Sequence, residues 1–193
     1  MNTTESVFLQ NIVLAAQQAQ KDIGVPASIT IAQAALESGW GQSTLAKQAN
    51  NFFGIKANAN ASPDEYVQFE TEEFVAGREI EELAKFAKYP SPVAGFRAHA
   101  YLLSMALRYR PAMNVRNDPA KFAQALQDCG YSTSPTYASQ LMQIVQQFDL
   151  SQYDADSVSA TEAIGLTTAA NKSGHPLKAQ TNATAATPPK ETK

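Results

Sequence analysis

One short stretch decides what this sequence predicts: Ala35-Leu36-Glu37-Ser38-Gly39-Trp40-Gly41. A helix should lead into it, because Ser28 is a good N-cap. One face of this helix is expected to be buried, and it carries Ile29, Ala32, Gln33 and Leu36. Gly39 and Gly41 are costly inside a helix, so the helix should stop just after Glu37. Glu37 therefore lies in the last turn, close to the single tryptophan of the chain.

This position predicts a raised pKa for the carboxyl group of Glu37. The C-terminal end of a helix carries partial negative charge, and the neighbouring Trp40 reduces hydration of the carboxylate. A glutamic acid that stays protonated near neutral pH can act as the general acid in the cleavage of a glycosidic bond. The structural alternative is a helix that ends at a glycine and carries an exposed glutamate in its last turn.

Composition narrows the class of protein. The chain has 193 residues, 44% of them hydrophobic, which is enough for one domain with a substantial core. A formal net charge of -3 and the lack of a Lys/Arg cluster argue against a nucleic-acid partner. Cys129 is the only cysteine and His99 and His175 lie far apart, so we expect no disulfide, no metal site and no cofactor. His99 is expected to be a packed or surface histidine.

No run of about 18 apolar residues is present, so we expect no integral membrane segment. The first residues lack the positive start and the continuous apolar stretch of a signal peptide.

Two neighbouring segments, Ala32–Ser43 and Asn50–Ala57, closely resemble the signature of the bacterial peptidoglycan glucosaminidases (glycoside hydrolase family 73). The resemblance extends from about Val7 to Leu150. It implies a mainly helical α+β fold, a lysozyme-like domain with a small β-hairpin lobe. It also implies cleavage of the β-1,4 bond between N-acetylglucosamine and N-acetylmuramic acid in peptidoglycan glycan strands, with Glu37 as the acid.

Such an enzyme acts in the periplasm or outside the cell, by an export route that the sequence leaves open, and we expect a monomer. Two alternatives stay open. One is a muramidase or lytic transglycosylase of the lysozyme superfamily, and the other is a non-catalytic wall-binding or assembly module.

The β lobe is expected to supply a second carboxylate. Tyr66–Phe74 alternates between apolar and polar residues, and so does part of Arg78–Tyr89, which predicts a hairpin; a helix over Glu79–Lys88 is the alternative. The alternation assigns Glu73 to the apolar face of the first strand and Glu72 to the opposite face. Independently, Thr71-Glu72-Glu73-Phe74 resembles the Thr-x-Glu-aromatic motif of the family, which also selects Glu73.

The other candidate site residues rest mainly on the resemblance. The segment Gly130–Ala138 resembles the family's Gly-Tyr-Ala-Thr-Asp-Pro-x-Tyr-Ala, with serines replacing the alanine and the aspartate. It implies a catalytic role for Tyr131, which could project into a groove and orient the substrate. Tyr137 is a substrate-binding candidate whose default interpretation is packing.

Three further residues are predicted to bind substrate: Trp40, Asn51 and Phe52. Asn51 and Phe52 could line a sugar site through amide and ring contacts. From the residues alone, a structural turn with a buried phenylalanine is equally compatible with this segment.

Elsewhere the pattern predicts helices. The first is expected to be capped by Thr4 or Thr3 and to run to about Lys21, with several apolar residues for burial, including Val7, Phe8 and Leu14. Further helices are expected over Ser43–Ala49, from Ser91 to about Arg108 with Val93 and Leu107 in the core, from an Asp118 cap to Gly130, and after a Ser134 cap.

The chain divides into a catalytic domain over 1–150 and a tail over 151–193. The tail is rich in Ala, Thr, Ser and Asn, and we expect it to be disordered because it cannot bury enough apolar surface to offset its ordering entropy.

Overall fold

The structure, a computed structural model, describes the backbone of residues 1–75 and 78–154; the side chains of residues 71–82 fall outside that description. The helices are α1 (Thr3–Ile23), α2 (Ala27–Ser38), α3 (Thr44–Ala49), α4 (Pro92–Met105), α5 (Arg110–Asn114), α6 (Pro119–Asp128) and α7 (Tyr137–Gln147). The strands are β1 (Tyr66–Val75) and β2 (Arg78–Ala87), and short 3-10 turns span Leu107–Tyr109 and Leu150–Tyr153. None of the described helices is both long and apolar enough to cross a membrane.

Helix α2 is the centre of the fold. It is buried along most of its length and packs against α1, α7 and the turn at Leu150–Tyr153, while α1 also packs along α4. The many alanines of α2 allow these neighbours to approach it from several sides. The sequence predicted a single buried face that included Leu36, but Leu36 is 37% exposed.

The predicted N-caps of the first two helices are wrong. Helix α1 is capped by Asn2 rather than by a threonine, in a capping box with Glu5. Helix α2 starts at Ala27 after Pro26, which has no capping side chain, so Ser28 lies inside the first turn. The backbone N–H and the hydroxyl of Ser28 donate to the carboxylate of Asp154, at 2.8 and 2.6 Å. A side chain from the far end of the described chain thus caps the central helix.

The C-terminal helices follow the prediction in part. Asp118 caps α6 as expected, accepting from the N–H of Lys121. Helix α7 begins at Tyr137 after Thr136, and Ser134 lies too far upstream to be its N-cap. Helix α4 ends at Met105, three residues before the predicted end, and Leu107 is 80% exposed in the turn that follows. Val7, Leu14 and Val93 were also expected in the core and are exposed, because helical spacing does not tell which apolar residues meet a neighbouring helix.

The predicted hairpin is confirmed, and the helical alternative for its second half is wrong. Strands β1 and β2 pair antiparallel, with Tyr66 opposite Ala87 and Val75 opposite Arg78. Val67 and Phe69 pack against a small cluster formed by Leu45, Ala49, Ala84 and Phe86, whereas Gln68 and Glu70 are exposed. The expected alternation therefore holds in the described part of β1, and the cluster joins the hairpin to α3.

The packed unit extends past the predicted boundary at residue 150. Leu150 is fully buried, the turn that it begins packs on α2, and Asp154 caps that helix. Residues 155–193, which make up most of the predicted disordered tail, lie outside the described residues.

Candidate active site at the end of helix α2

The end of α2 is built as the sequence predicted. Gly39 follows the last helical residue with a positive φ of 56°, and Trp40 also has a positive φ of 60°. The backbone N–H of Trp40 donates to the carbonyl of Ala35 at 2.8 Å, and the N–H of Gly41 donates to the hydroxyl of Ser38 at 2.8 Å. These bonds fix the turn directly after Glu37 and so hold its side chain in one region of the fold.

Glu37 is half-buried in the last turn. Burial raises the pKa of its carboxyl group above the ordinary value, and a hydrogen bond from Tyr137 lowers it in part. The hydroxyl of Tyr137 donates to Oε1 of Glu37 at 3.1 Å. The direction of this pKa shift agrees with the expectation from the sequence, and its main cause is burial.

Tyr137 connects Glu37 to a line of buried polar side chains. Its own hydroxyl oxygen accepts a hydrogen bond from Nε2 of Gln33 at 3.0 Å. Oε1 of Gln33 lies 3.1 Å from Nε2 of His99, on α4. All three of these residues are nearly inaccessible to solvent: 2% of Tyr137, 0% of Gln33 and 1% of His99 is exposed. Tyr137 therefore contacts the proposed acid, in addition to packing.

Tyr131 lies beside this line. Its ring stacks on Tyr137, with centroids 5.4 Å apart and planes 23° apart, and it meets the edge of His99 at 5.9 Å. Burial raises the pKa of its hydroxyl, and the nearby negative charge of Glu37 raises that pKa further. Tyr131 is therefore a neutral hydroxyl near Glu37. Its predicted catalytic role stays a prediction.

The side-chain amide of Asn51 is hydrogen-bonded to backbone groups on all sides. Its Nδ2 donates to the carbonyls of Ile55 and Ala87, both at 2.9 Å, and its Oδ1 accepts from the N–H groups of Phe53 and Ile55 at 3.4 and 3.0 Å. The residue is 1% exposed. These contacts use both donors and both acceptor positions of the amide, so no amide group is left over for a sugar. The surroundings of Asn51 match the structural turn that the sequence analysis gave as the alternative to a sugar site.

Phe52 and Trp40 also have packing partners. Phe52 is buried among Phe8, Phe53 and Phe96, so the expected sugar contact of its ring would have to compete with core packing. Trp40 is half-buried, with its ring 5.6 Å from Phe8 and 4.6 Å from Phe148. Its partly open ring keeps substrate binding by Trp40 as a prediction.

Glu73 is placed only by its backbone, in β1 opposite Ile80 of β2. Its side chain is among those outside the description, so its role as second carboxylate stays a prediction. Within the part of the chain that the structure describes, no group of three or more His, Cys, Asp or Glu side chains could hold a metal ion.

The sequence reasoning missed Gln33 as a site residue. It assigned Gln33 only to the apolar face of the helix, one turn before Glu37. A glutamine on an apolar face has to find hydrogen-bond partners when it is buried, and this was the available signal. His99 was expected to be packed or on the surface. It is packed, with its ring stacked on Phe53 at 3.8 Å and 5° between the planes.

A comparison with protein-family models shows which family this chain belongs to. The family model described as mannosyl-glycoprotein endo-beta-N-acetylglucosaminidase, the glucosaminidase model, matches residues 13–150. The chain belongs to the glucosaminidase family. This confirms the family inferred from the two motifs, and the match covers α2 to α7 and the hairpin.

The names of similar curated proteins agree with this family assignment. The chain is 38% identical over 155 residues to the exo-glucosaminidase LytG of Bacillus subtilis, covering 78% of this chain and 54% of LytG. It is 36% identical over 163 residues to the peptidoglycan hydrolase FlgJ of Escherichia coli K12, covering 82% of this chain and 50% of FlgJ. The chain thus spans about half the length of these relatives.

Solved structures share the fold. The catalytic domain of the autolysin Auto from Listeria monocytogenes superposes with a TM-score of 0.70 at 33% identity, covering 80% of this chain and 89% of that one. A C-terminally truncated glycoside hydrolase domain of FlgJ from Salmonella typhimurium gives a TM-score of 0.60 at 33% identity, covering 75% of this chain and 97% of that one. The expected fold class, a mainly helical lysozyme-like domain with a small antiparallel hairpin, is confirmed.

Proposed function

We propose that this chain is a peptidoglycan hydrolase that cleaves the β-1,4 bond between N-acetylglucosamine and N-acetylmuramic acid in glycan strands. The observation that carries the proposal is Glu37: a half-buried carboxyl group with a raised pKa, fixed at the end of the central helix and bonded to Tyr137. Membership of the glucosaminidase family supports the substrate class.

In this mechanism Glu37 protonates the oxygen of the leaving sugar. General acid catalysis needs a group that is protonated at the working pH, and burial of Glu37 favours that form. The neutral hydroxyls of Tyr137 and Tyr131 lie around it without adding a charge that would compete for its proton.

The second half of the reaction is assigned to Glu73, which would activate a water molecule or stabilise the developing positive charge on the sugar. A carboxyl separation of about 5–5.5 Å suits a retaining mechanism, and about 6.5–9.5 Å suits inversion with a water between the two groups. A route in which the acetamido group of the substrate attacks, with Tyr131 orienting it, is the alternative.

We further propose that the protein works as a monomer on the peptidoglycan of the periplasm or of the cell exterior. The names of its relatives, autolysin and peptidoglycan hydrolase, support a cell-wall substrate for this chain.

Mass spectrometry of digested peptidoglycan tests the function. Products that are reduced with borohydride should carry a reduced N-acetylglucosamine end, and Glu37→Gln should release none. Glu70→Gln is the matched control, because Glu70 is an exposed carboxylate of the β lobe and its loss should leave the products unchanged.

Other products would replace the proposal. A reduced N-acetylmuramic acid end would identify a muramidase, and a 1,6-anhydro end would identify a lytic transglycosylase. Binding to the wall without any release, in a folded wild-type protein, would identify a binding module.

A further inference from the structure

We propose that His99, Gln33 and Tyr137 form a one-directional chain of hydrogen bonds that keeps the acidic proton of Glu37 on Oε2, the carboxyl oxygen not bonded to Tyr137. The inference rests on the proposed function, since it concerns the proton that Glu37 delivers. His99 and Gln33 do not touch Glu37 and act through Tyr137, so they are positioning residues.

The direction of the chain follows from Glu37 outwards. The one hydroxyl hydrogen of Tyr137 goes to Oε1 of Glu37, 3.1 Å away, and this oxygen can accept it both in the carboxylate and as the carbonyl oxygen of the protonated acid. The hydroxyl oxygen of Tyr137 is then the acceptor for Nε2 of Gln33, at 3.0 Å. Each donor in the line therefore points toward Glu37.

The direction of these hydrogen bonds also determines the tautomer of the His99 ring. Because the amide nitrogen of Gln33 faces Tyr137, its amide oxygen faces Nε2 of His99, at 3.1 Å. An amide oxygen can only accept, so Nε2 of His99 must carry the hydrogen. A neutral histidine has one ring N–H, and here that hydrogen is committed to the chain.

Burial keeps the chain from reversing. His99 and Gln33 are nearly inaccessible to solvent, with 1% and 0% of their surfaces exposed. Desolvation lowers the pKa of His99 from 6.5 to about 3, so the ring is neutral wherever a glutamic acid with a raised pKa titrates. A neutral ring with a fixed tautomer gives the chain one polarity over that whole range of pH.

The consequence concerns the two oxygens of Glu37. Oε1 already accepts the hydroxyl of Tyr137, so a proton that adds to the carboxylate goes to Oε2. A general acid is useful only if its proton is on the oxygen that meets the leaving group. The chain thus selects one of two otherwise equivalent protonated forms.

The ionisable groups around Glu37 do not disturb this arrangement. On α7 it faces Tyr137, and on the segment between α6 and α7 it faces Tyr131, both with hydroxyl pKa values raised well above the ordinary one. Arg108 donates to the hydroxyl of Tyr109, whose ring lies 5.8 Å from that of Tyr131. Beyond the effect of burial, which raises both pKa values, a hydrogen bond with Tyr137 lowers the pKa of the Tyr131 hydroxyl in part, and Cys129 raises the pKa of Tyr109.

Nitrogen-15 NMR of the full chain, with labelled histidine, tests the polarity without any turnover. We expect the His99 ring to be the Nε2–H tautomer from about pH 4 to pH 8. An Nδ1–H tautomer, or a ring that becomes charged near pH 6.5, would overturn the proposal. This result stands whether or not the protein cleaves peptidoglycan.

Three variants test the effect on Glu37: His99→Phe keeps a ring on Phe53 but removes the donor, His99→Gln restores an N–H donor, and Phe53→Leu removes the stacked ring but leaves the chain intact. His99→Phe should lower kcat about tenfold with little change in KM, part of the roughly 10²–10⁴-fold that a general acid contributes. His99→Gln should recover most of the rate.

The pH profile separates positioning from simple destabilisation. His99 holds the amide of Gln33 so that it donates to the hydroxyl oxygen of Tyr137. When that donation is lost, the hydroxyl of Tyr137 becomes a poorer donor to the Glu37 carboxylate, and the pKa of Glu37 should rise. The alkaline limb of the rate profile should therefore move to higher pH in His99→Phe and further in Tyr137→Phe, and stay unchanged in Phe53→Leu.

Carbon-13 titration of the Glu37 carboxyl in the same proteins measures this shift even if the wild type proves inactive on peptidoglycan. An unshifted titration in both His99→Phe and Tyr137→Phe would overturn the inference, and so would an equal shift in Phe53→Leu. If His99→Phe does not fold, Tyr137→Phe and the wild-type tautomer decide.

Discussion

Replacing Asp154 by alanine should destabilise the whole domain, although the residue lies at the end of the described chain. Asp154 accepts two hydrogen bonds from Ser28, at 2.8 Å from the backbone N–H and 2.6 Å from the hydroxyl. Loss of an N-cap costs about 0.5–2 kcal/mol, and Pro26 offers no substitute at that position. Ser28 is fully buried, and a buried hydroxyl left without its acceptor costs about 1–3 kcal/mol.

Because the two losses share one carboxylate, we expect a combined loss of about 2–3 kcal/mol rather than the full sum. For a domain of this size, that corresponds to a fall in Tm of about 4–12 °C. Thermal and urea unfolding, followed by circular dichroism, measure both quantities. The matched control is Asp64→Ala, an exposed loop aspartate whose loss should change stability by less than about 0.5 kcal/mol.

A double-mutant cycle with Ser28→Ala tests the mechanism itself. The coupling between the two positions should be about 0.5–3 kcal/mol if the carboxylate caps the helix as described. An Asp154→Ala protein that melts within about 1 °C of the wild type would refute the reasoning, and the packed unit would then end before Asp154. A large loss in Asp154→Ala without any coupling to Ser28 would contradict the capping account.

Glu37→Gln should lower turnover by at least about 10²-fold while making the protein more stable than the wild type at pH 7. Because the pKa of Glu37 is raised in the folded state, the unfolded chain loses the carboxyl proton at a lower pH than the folded one. The free energy of unfolding of the wild type should therefore fall as pH rises from 4.5 through the raised pKa. In urea unfolding, the stability difference between the wild type and Glu37→Gln should close toward pH 4.5. The wild-type rate should fall as pH rises through the same raised pKa, which initial rates on soluble glycan measure. Glu73→Gln should reduce the rate strongly and Glu72→Gln hardly at all; equal losses would mean that the predicted strand face is wrong. Because the pKa of buried His99 is lowered to about 3, its contribution to stability should be lost as pH falls from 6.5 toward 3, and acid unfolding of His99→Phe should be less steep there.

Much of the fold and part of the site could be predicted from the sequence. The helix end after Glu37, the Asp118 cap and the alternation along β1 each depend on residues that are close together in the chain. The signals are local: a glycine at a positive φ, an aspartate before a proline, and alternation along a strand. Local signals can be predicted from the sequence alone.

The tertiary structure decided the rest. Tyr137 rather than Tyr131 bonds to Glu37, across 100 residues of sequence, and the partners of Gln33 and Ser28 are separated from them by 66, 104 and 126 residues. No local preference ranks two tyrosines six residues apart or directs an aspartate to a distant helix. These pairs form because helices with small residues cross closely, and every polar group buried at a crossing must find a partner among whatever side chains the crossing brings to it.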